Sequence, residues 1–95
     1  MAALQPIASY LEDEGRSLVL HRQVADEAGL GYDSVFNCIK LAVHSSLDAV
    51  GLTAAVSNRL AVDGISANVI AAYFHDYVYV PKDRAGDALQ LLENL

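Results

Sequence analysis

The sequence predicts an α+β fold, a ferredoxin-like (βαββαβ-type) sandwich in which an antiparallel sheet carries two helices on one face. Three observations point there. Residues 34–43 alternate with period two, residues 48–63 carry a helical apolar stripe, and Tyr77 to Val80 alternate tyrosine and valine as one arm of a hairpin. A partial strand-strand-helix unit precedes this pattern, so the expected organisation is residues 1–33 and residues 34–95. A chain of 95 residues has room for one small domain with an appendage, and for a core of modest depth.

The elements follow in order. Ala8 to Glu12 reads as a strand, Asp13, Glu14 and Gly15 as a turn, and Arg16 to Leu20 as the returning strand. "RQVADEAGLG" reads as a short helix stopped by Gly29 or Gly31. In the next strand Ile39, Leu41 and Val43 point one way, under the helices. Cys38, Lys40, Ala42 and His44 point the other, to an open face or an intersubunit surface. The helix expected over Asp48 to Asp63 carries Leu52, Val56 and Leu60 at i, i+4 and i+8, and Gly64 suits the left-handed position after its end. Ser66 to Phe74 reads as a strand, His75-Asp76 as a tight turn, and Tyr77 to Val80 as its partner. Asp83 is expected to cap a last helix carrying Ala85, Ala88, Leu89, Leu91 and Leu92.

The order strand, turn, strand, helix occurs twice. Ile7, Ala8, Tyr10 and Leu11 correspond to Ile70, Ala71, Tyr73 and Phe74 in the two opening strands. The second unit lacks a fourth, closing strand, and the edge so left is one that the N-terminal half unit or another copy of the chain would cover.

Composition narrows the function. A net charge of −6 with scattered basic residues argues against nucleic acid and against anionic membrane surfaces as partners. The apolar fraction of 54% exceeds what so small a core can bury, which favours a homo-oligomer, a dimer being the simplest. Cys38 is the single cysteine, so no intrachain disulfide forms. "MAALQPIASYLEDEGR" does not read as a signal peptide, and no apolar run is long enough to span a bilayer. The expected location is the cytoplasm.

His44, Ser45, Ser46 and Asp48 bring the residue types of a catalytic triad together, but neighbours on a strand-to-helix turn diverge instead of converging. No nucleophile elbow is present, and helix capping accounts for the serines and Asp48. The same loop leads its amides into a helix N-terminus, which favours a carboxylate or other anion, and Gly51 permits close approach of a ligand or backbone. His21, His44 and His75 lack metal-ligand spacing, so no metal is expected. Tyr73, Tyr77 and Tyr79 read as core or interface packing, since basic interleaving is absent. The glycines form no phosphate-binding motif, and no cofactor is expected.

"HSSLDAVGLTAA", "GISANV" and "YFHDYVYVP", within Ile39 to Leu92, resemble the ACT domain family, and in particular small bacterial proteins built of tandem ACT-like units. "SLVLHRQVADEAGLGYDSVF" is similar to the closing half of the first unit in such proteins, which makes residues 1–33 a partial first unit and 34–95 an ACT-like domain. The resemblance implies a non-catalytic regulatory module binding a small effector, an amino acid, at an interface between ACT-like units. It places Ser45, Ser46, Asp48, Val50, Gly51 and Leu52 on one side of the ligand and Ile65, Ser66 and Asn68 of a neighbouring domain on the other. Ser66 stands where the family has asparagine. The competing expectations are a ligand-free assembly module and, last, an enzyme using His44 and Ser45.

Overall fold

A computed structural model of the chain describes residues 4–41 and 49–95, and of residues 49 and 50 the backbone. It divides into two compact units, residues 1–33 and 34–95.

Unit 1 contains β1 (Ala8–Glu12), β2 (Gly15–Val19) and α1 (Arg22–Glu27). The strands pair antiparallel from Ala8↔Val19 to Glu12↔Gly15, so Asp13 and Glu14 form the turn. The Ser17 hydroxyl donates to the Glu12 carboxylate. At the end of α1 the Gly29 amide donates to the Asp26 carbonyl (3.1 Å) and the Leu30 amide to the Ala25 carbonyl (2.9 Å). This paired closure requires a left-handed residue between them, and Gly29, at φ +69°, supplies it. Gly29, not Gly31, is therefore the stop. Tyr32 folds back to donate to the Asp26 carboxylate at 2.7 Å, and that acceptor, which needs the phenol proton, raises its pKa.

Ala25 is the one buried side chain among the described residues of unit 1, while Ile7, Tyr10, Leu11, Leu18 and Val19 are exposed. A two-stranded hairpin with a single short helix has too little interior to cover them.

Unit 2 contains β3 (Phe36–Leu41), α2 (Ala49–Val62), β4 (Asn68–Ala71), β5 (Asp76–Pro81) and α3 (Ala85–Glu93), with a short 3-10 turn (Lys82–Arg84) before α3. Its sheet has the order β3-β5-β4 with both pairs antiparallel. β3 and β4 are thus parallel, separated by β5 and linked through α2, the arrangement of the first three strands of a ferredoxin-like unit. A four-stranded sheet was the expectation for a full unit; three strands are present among the described residues.

The period-two reading of β3 holds where it is described. Ile39 and Leu41 pack on the core, while Cys38 and Lys40 are exposed on the opposite face. Val43, Ala42 and His44 lie outside the described residues. From β5, Val78 and Val80 point inward with no exposure, and Val69 of β4 lies beside Val78. The α2 stripe of Leu52, Val56 and Leu60 is buried over them. From α3, Ala88 is fully buried and Ala85, Leu91 and Leu92 pack alongside, so both helices cover one face. Leu89, one of the apolar residues of the last helix, is 47% exposed, because one residue beyond Ala88 turns the side chain about 100° away around the helix.

Three other expectations change. β4 begins at Asn68 and ends at Ala71, shorter than the Ser66 to Phe74 strand expected. The hairpin turn is at Tyr73 and Phe74, not at His75-Asp76: Ala71 pairs with Asp76, and the Ala72 amide donates to the His75 carbonyl at 3.0 Å. Valine pairing explains the register. Setting Val69 opposite Val78 on the buried face leaves the aromatic residues at the tip. Tyr73 is consequently not a core residue. Its ring meets that of Phe74 edge-on at 4.9 Å, and the two are 93% and 83% exposed.

The tip also revises the internal repeat. Both hairpins share the order of elements, but Tyr10 and Leu11 lie within β1 whereas Tyr73 and Phe74 form a turn.

Asp83 does not cap α3. The chain passes through the 3-10 turn, the N-cap is Arg84, and no side-chain cap bond forms. Arg84 instead ties two helices together: its guanidinium meets the Asp87 carboxylate at 3.2 Å and donates to the Asp63 carbonyl at 3.3 Å. A cation at the C-terminal end of α2 also opposes that helix's dipole.

Candidate ligand site

The junction "LAVDGIS" takes its shape from a helix stop. The Gly64 amide donates to the Ala61 carbonyl (3.0 Å) and the Ile65 amide to the Leu60 carbonyl (3.0 Å), with Gly64 at φ +70°. This is the Schellman closure, and its usual apolar contact is present in the buried pair Leu60 and Ile65. Burying Ile65 turns the chain sharply off the helix and leaves Ser66 and Asn68 exposed at the start of β4.

The residues expected to bind a ligand fall into two places. Val50, Gly51 and Leu52 lie in the first turn of α2, the side chain of Leu52 being part of the core. Ile65, Ser66 and Asn68 follow the other end of the same helix, with the Ile65 side chain also in the core. Anything Leu52 or Ile65 offers a ligand thus comes from the backbone. Ser45, Ser46 and Asp48, with His44, lie outside the described residues. A helix of 14 residues is roughly 21 Å long, so α2 holds the two groups at opposite ends of the unit. Within one unit they do not meet.

What Ser66 and Asn68 do join is a solvent-open groove of about 470 Å³ at the end of the sheet where β3 and β4 begin and β5 finishes. Ser34, Lys82 and Asp83 add polar groups to its lining, and Val35, Phe36 and Pro81 add apolar ones. The side chains of Ser34, Ser66, Asn68, Lys82 and Asp83 make no hydrogen bond or ion pair with other described residues. Sequence reasoning missed this grouping, since Asp83 was assigned to capping and Lys82 had no periodic signal.

On the face of the sheet away from the helices, Tyr79 lies opposite Cys38 in the ladder and is buried. Burial raises its phenol pKa first, and a hydrogen bond with the Cys38 sulfur adds to the rise. A raised folded pKa means that the folded state holds the proton more tightly. The stability this contributes is intact below the ordinary tyrosine value of about 10 and is lost as pH rises through the folded pKa. Urea unfolding at stepped alkaline pH should show that loss, and Tyr79→Phe should flatten it.

With this geometry established, comparison with known proteins is informative. An ACT domain model matches residues 33–94, well over half of the chain, and a second ACT domain model matches residues 1–37. The chain belongs to the ACT domain family. ACT domains are typically regulatory modules that bind small ligands, and as a class they are generally non-catalytic. The ACT fold is also that of a solved neighbour, the crystal structure of a protein of unknown function from Vibrio cholerae described as a possible transport protein. It is 52% identical over 95% of this chain and 69% of that one, with a TM-score of 0.84. No curated protein matches the chain. Among the described residues, no helix of this ACT protein is long and apolar enough to cross a membrane.

Proposed function

We infer that this protein is a non-catalytic sensor that binds a small effector, an amino acid, across the interface between ACT units of two chains in a homodimer. The observation that carries the reading is the separation of the two residue groups by the length of α2. A ligand touching both the Gly51 turn and the Ser66–Asn68 junction needs the first from one unit and the second from another. Residues 1–33 then act as a partial first ACT unit and residues 34–95 as the ligand-bearing domain, with Ser45, Ser46 and Asp48, which precede α2 in the sequence, contributing beside Gly51. A reducing, cytoplasmic setting fits the free, exposed thiol of Cys38.

Thermal-shift screening and calorimetry against the twenty L-amino acids test this. One or a few should raise the unfolding temperature, since a ligand that binds only the folded state stabilises it. A flat response to all twenty would sink the amino-acid reading. Gly51→Val should abolish the response while leaving the free protein folded, because valine forms helix better than glycine but places methyl groups where a ligand approaches the backbone.

A second reading, an assembly module without a ligand, draws support from the exposed Ile7, Tyr10 and Leu11 of unit 1. Native mass spectrometry separates the two. An oligomer that retains no small molecule and ignores every amino acid added favours assembly alone.

A further inference from the structure

Hydrogen-bond parity decides which way the main chain of β3 faces. The Lys82 amide donates to the Val35 carbonyl at 3.1 Å, and the register from Phe36↔Pro81 to Leu41↔Asp76 sets Val35 across from Lys82. Hydrogen-bonded pairs alternate along an antiparallel ladder. Asn37, Ile39 and Leu41 therefore bond to β5, and the N–H and C=O groups of Phe36, Cys38 and Lys40 point the other way. The opposite side of β5 gives the same parity. There the Ala72 amide donates to the His75 carbonyl, so Tyr77 and Tyr79 bond to β4 and leave Asp76, Val78 and Val80 for β3. Among the described residues, no strand lies beyond β3 to take its outward groups. Beside this gap Ile39 and Leu41 are only half-buried, and Phe36 is exposed.

Sheet edges are usually blunted by proline, by a bulge or by several charges. "FNCIKL" has no proline and one charge, and its register with β5 runs without a bulge. The edge is therefore open to another strand.

We propose that β3 pairs with β3 of a second copy of this chain, antiparallel about a two-fold axis at Cys38. Outward-facing residues then meet one another: Cys38 lies opposite its own counterpart, and Phe36 opposite Lys40 of the second copy. The one charge of the strand rests on an aromatic ring, and no two like charges meet. On the helix-side face Leu41 comes opposite Val35 and Ile39 opposite Asn37, so the half-buried residues gain cover. The strand is thus its own complement, as a two-fold interface requires. Six residues make an edge about 20 Å long, so the contact belongs with small interfaces, below about 1,200 Å². The dimer is accordingly reversible. The pairing needs no ligand, and it goes beyond the sensor reading by naming the surface through which two chains meet.

The test uses the full chain with no amino acid added. Sedimentation equilibrium over a wide concentration range should show monomers passing into dimers. Cys38→Lys brings two ammonium groups together on the axis and should weaken the dimer about fivefold, while the monomer stays folded because this side chain is exposed. Oxidation with diamide reads the register. Residues opposed in this way have Cα atoms about 5.5 Å apart, within the roughly 4.4–6.8 Å that a disulfide spans. Two Cys38 thiols give up their protons and two electrons to diamide and close one S–S bond, so the wild-type chain should become a covalent dimer. In a Cys38→Ser background, Phe36→Cys and Lys40→Cys chains should crosslink when mixed, and neither should do so alone. A chain that stays monomeric at every concentration overturns the proposal. A dimer that Cys38→Lys does not weaken, or a crosslink that forms as readily alone as in the mixture, also overturns it, and the homodimer of the sensor reading then stands on another surface.

Discussion

Leu60→Ala is expected to lower the unfolding free energy by about 3 kcal/mol. Leu60 has no exposure and lies in the same cluster as Val56, Val78 and Val80, which are equally enclosed. Truncation removes the transfer energy of the buried carbons and leaves a cavity. The walls close it only in part, because β5, the strand that carries both Val78 and Val80, is held by ladders on both sides. Leu60 is also the apolar partner of Ile65 in the closure at the end of α2, so the same change loosens the junction that presents Ser66 and Asn68. A domain of this size has about 5–10 kcal/mol of stability in all, so the loss is roughly 30–60% of it. Urea unfolding should show the midpoint falling with an unchanged slope, as expected when stability alone changes. Leu89→Ala, at a position 47% exposed, should move the midpoint far less. Equal effects at both positions would contradict the packing described.

The second large effect is at Gly64. At φ +70° a side chain strains the backbone, and Gly64→Ala should lose about 1–2 kcal/mol. The strain is the whole cost, since an added Cβ meets nothing within 4 Å. Gly86→Ala is the matching control: it is also free of contacts within 4 Å, but it lies in α3 with ordinary helical geometry. It should stabilise the protein by about 0.5 kcal/mol through helix propensity and a less flexible unfolded chain. For a chain this short, each kcal/mol moves the melting temperature by about 4–8 °C, so the opposite signs are easily read by circular dichroism. A stabilising or neutral Gly64→Ala would show that α2 does not end in the left-handed closure.

Much of the fold was legible because it depends on local periodicity. Ile39 and Leu41 alternate, Leu52, Val56 and Leu60 recur at helical spacing, and glycine follows each of α1 and α2 where the backbone needs φ above zero. Each signal acts between near neighbours in the chain, so one sequence is enough to read it. The hairpin between β4 and β5 was misplaced because tyrosine suits a strand and His75-Asp76 suits a turn. The outcome was decided across the sheet, by Val69 pairing with Val78 and by the buried face that pairing completes. Asp83 was misread for a related reason. An acidic residue before a helix favours capping, but a 3-10 turn set by the Lys82 amide on Val35 moved the helix start past it.

The candidate site divides in the same way. From the sequence alone came the family resemblance, the residues on each side of α2, the net charge that argues against nucleic acid, and the glycine stop at "DGIS". Only the tertiary structure set the two residue groups at opposite ends of a 14-residue helix, and only it gathered Ser34, Ser66, Asn68, Lys82 and Asp83 around one groove. Those five residues come from three stretches of chain far apart in sequence. Strand pairing brings them together, and that long-range contact leaves no local pattern to read.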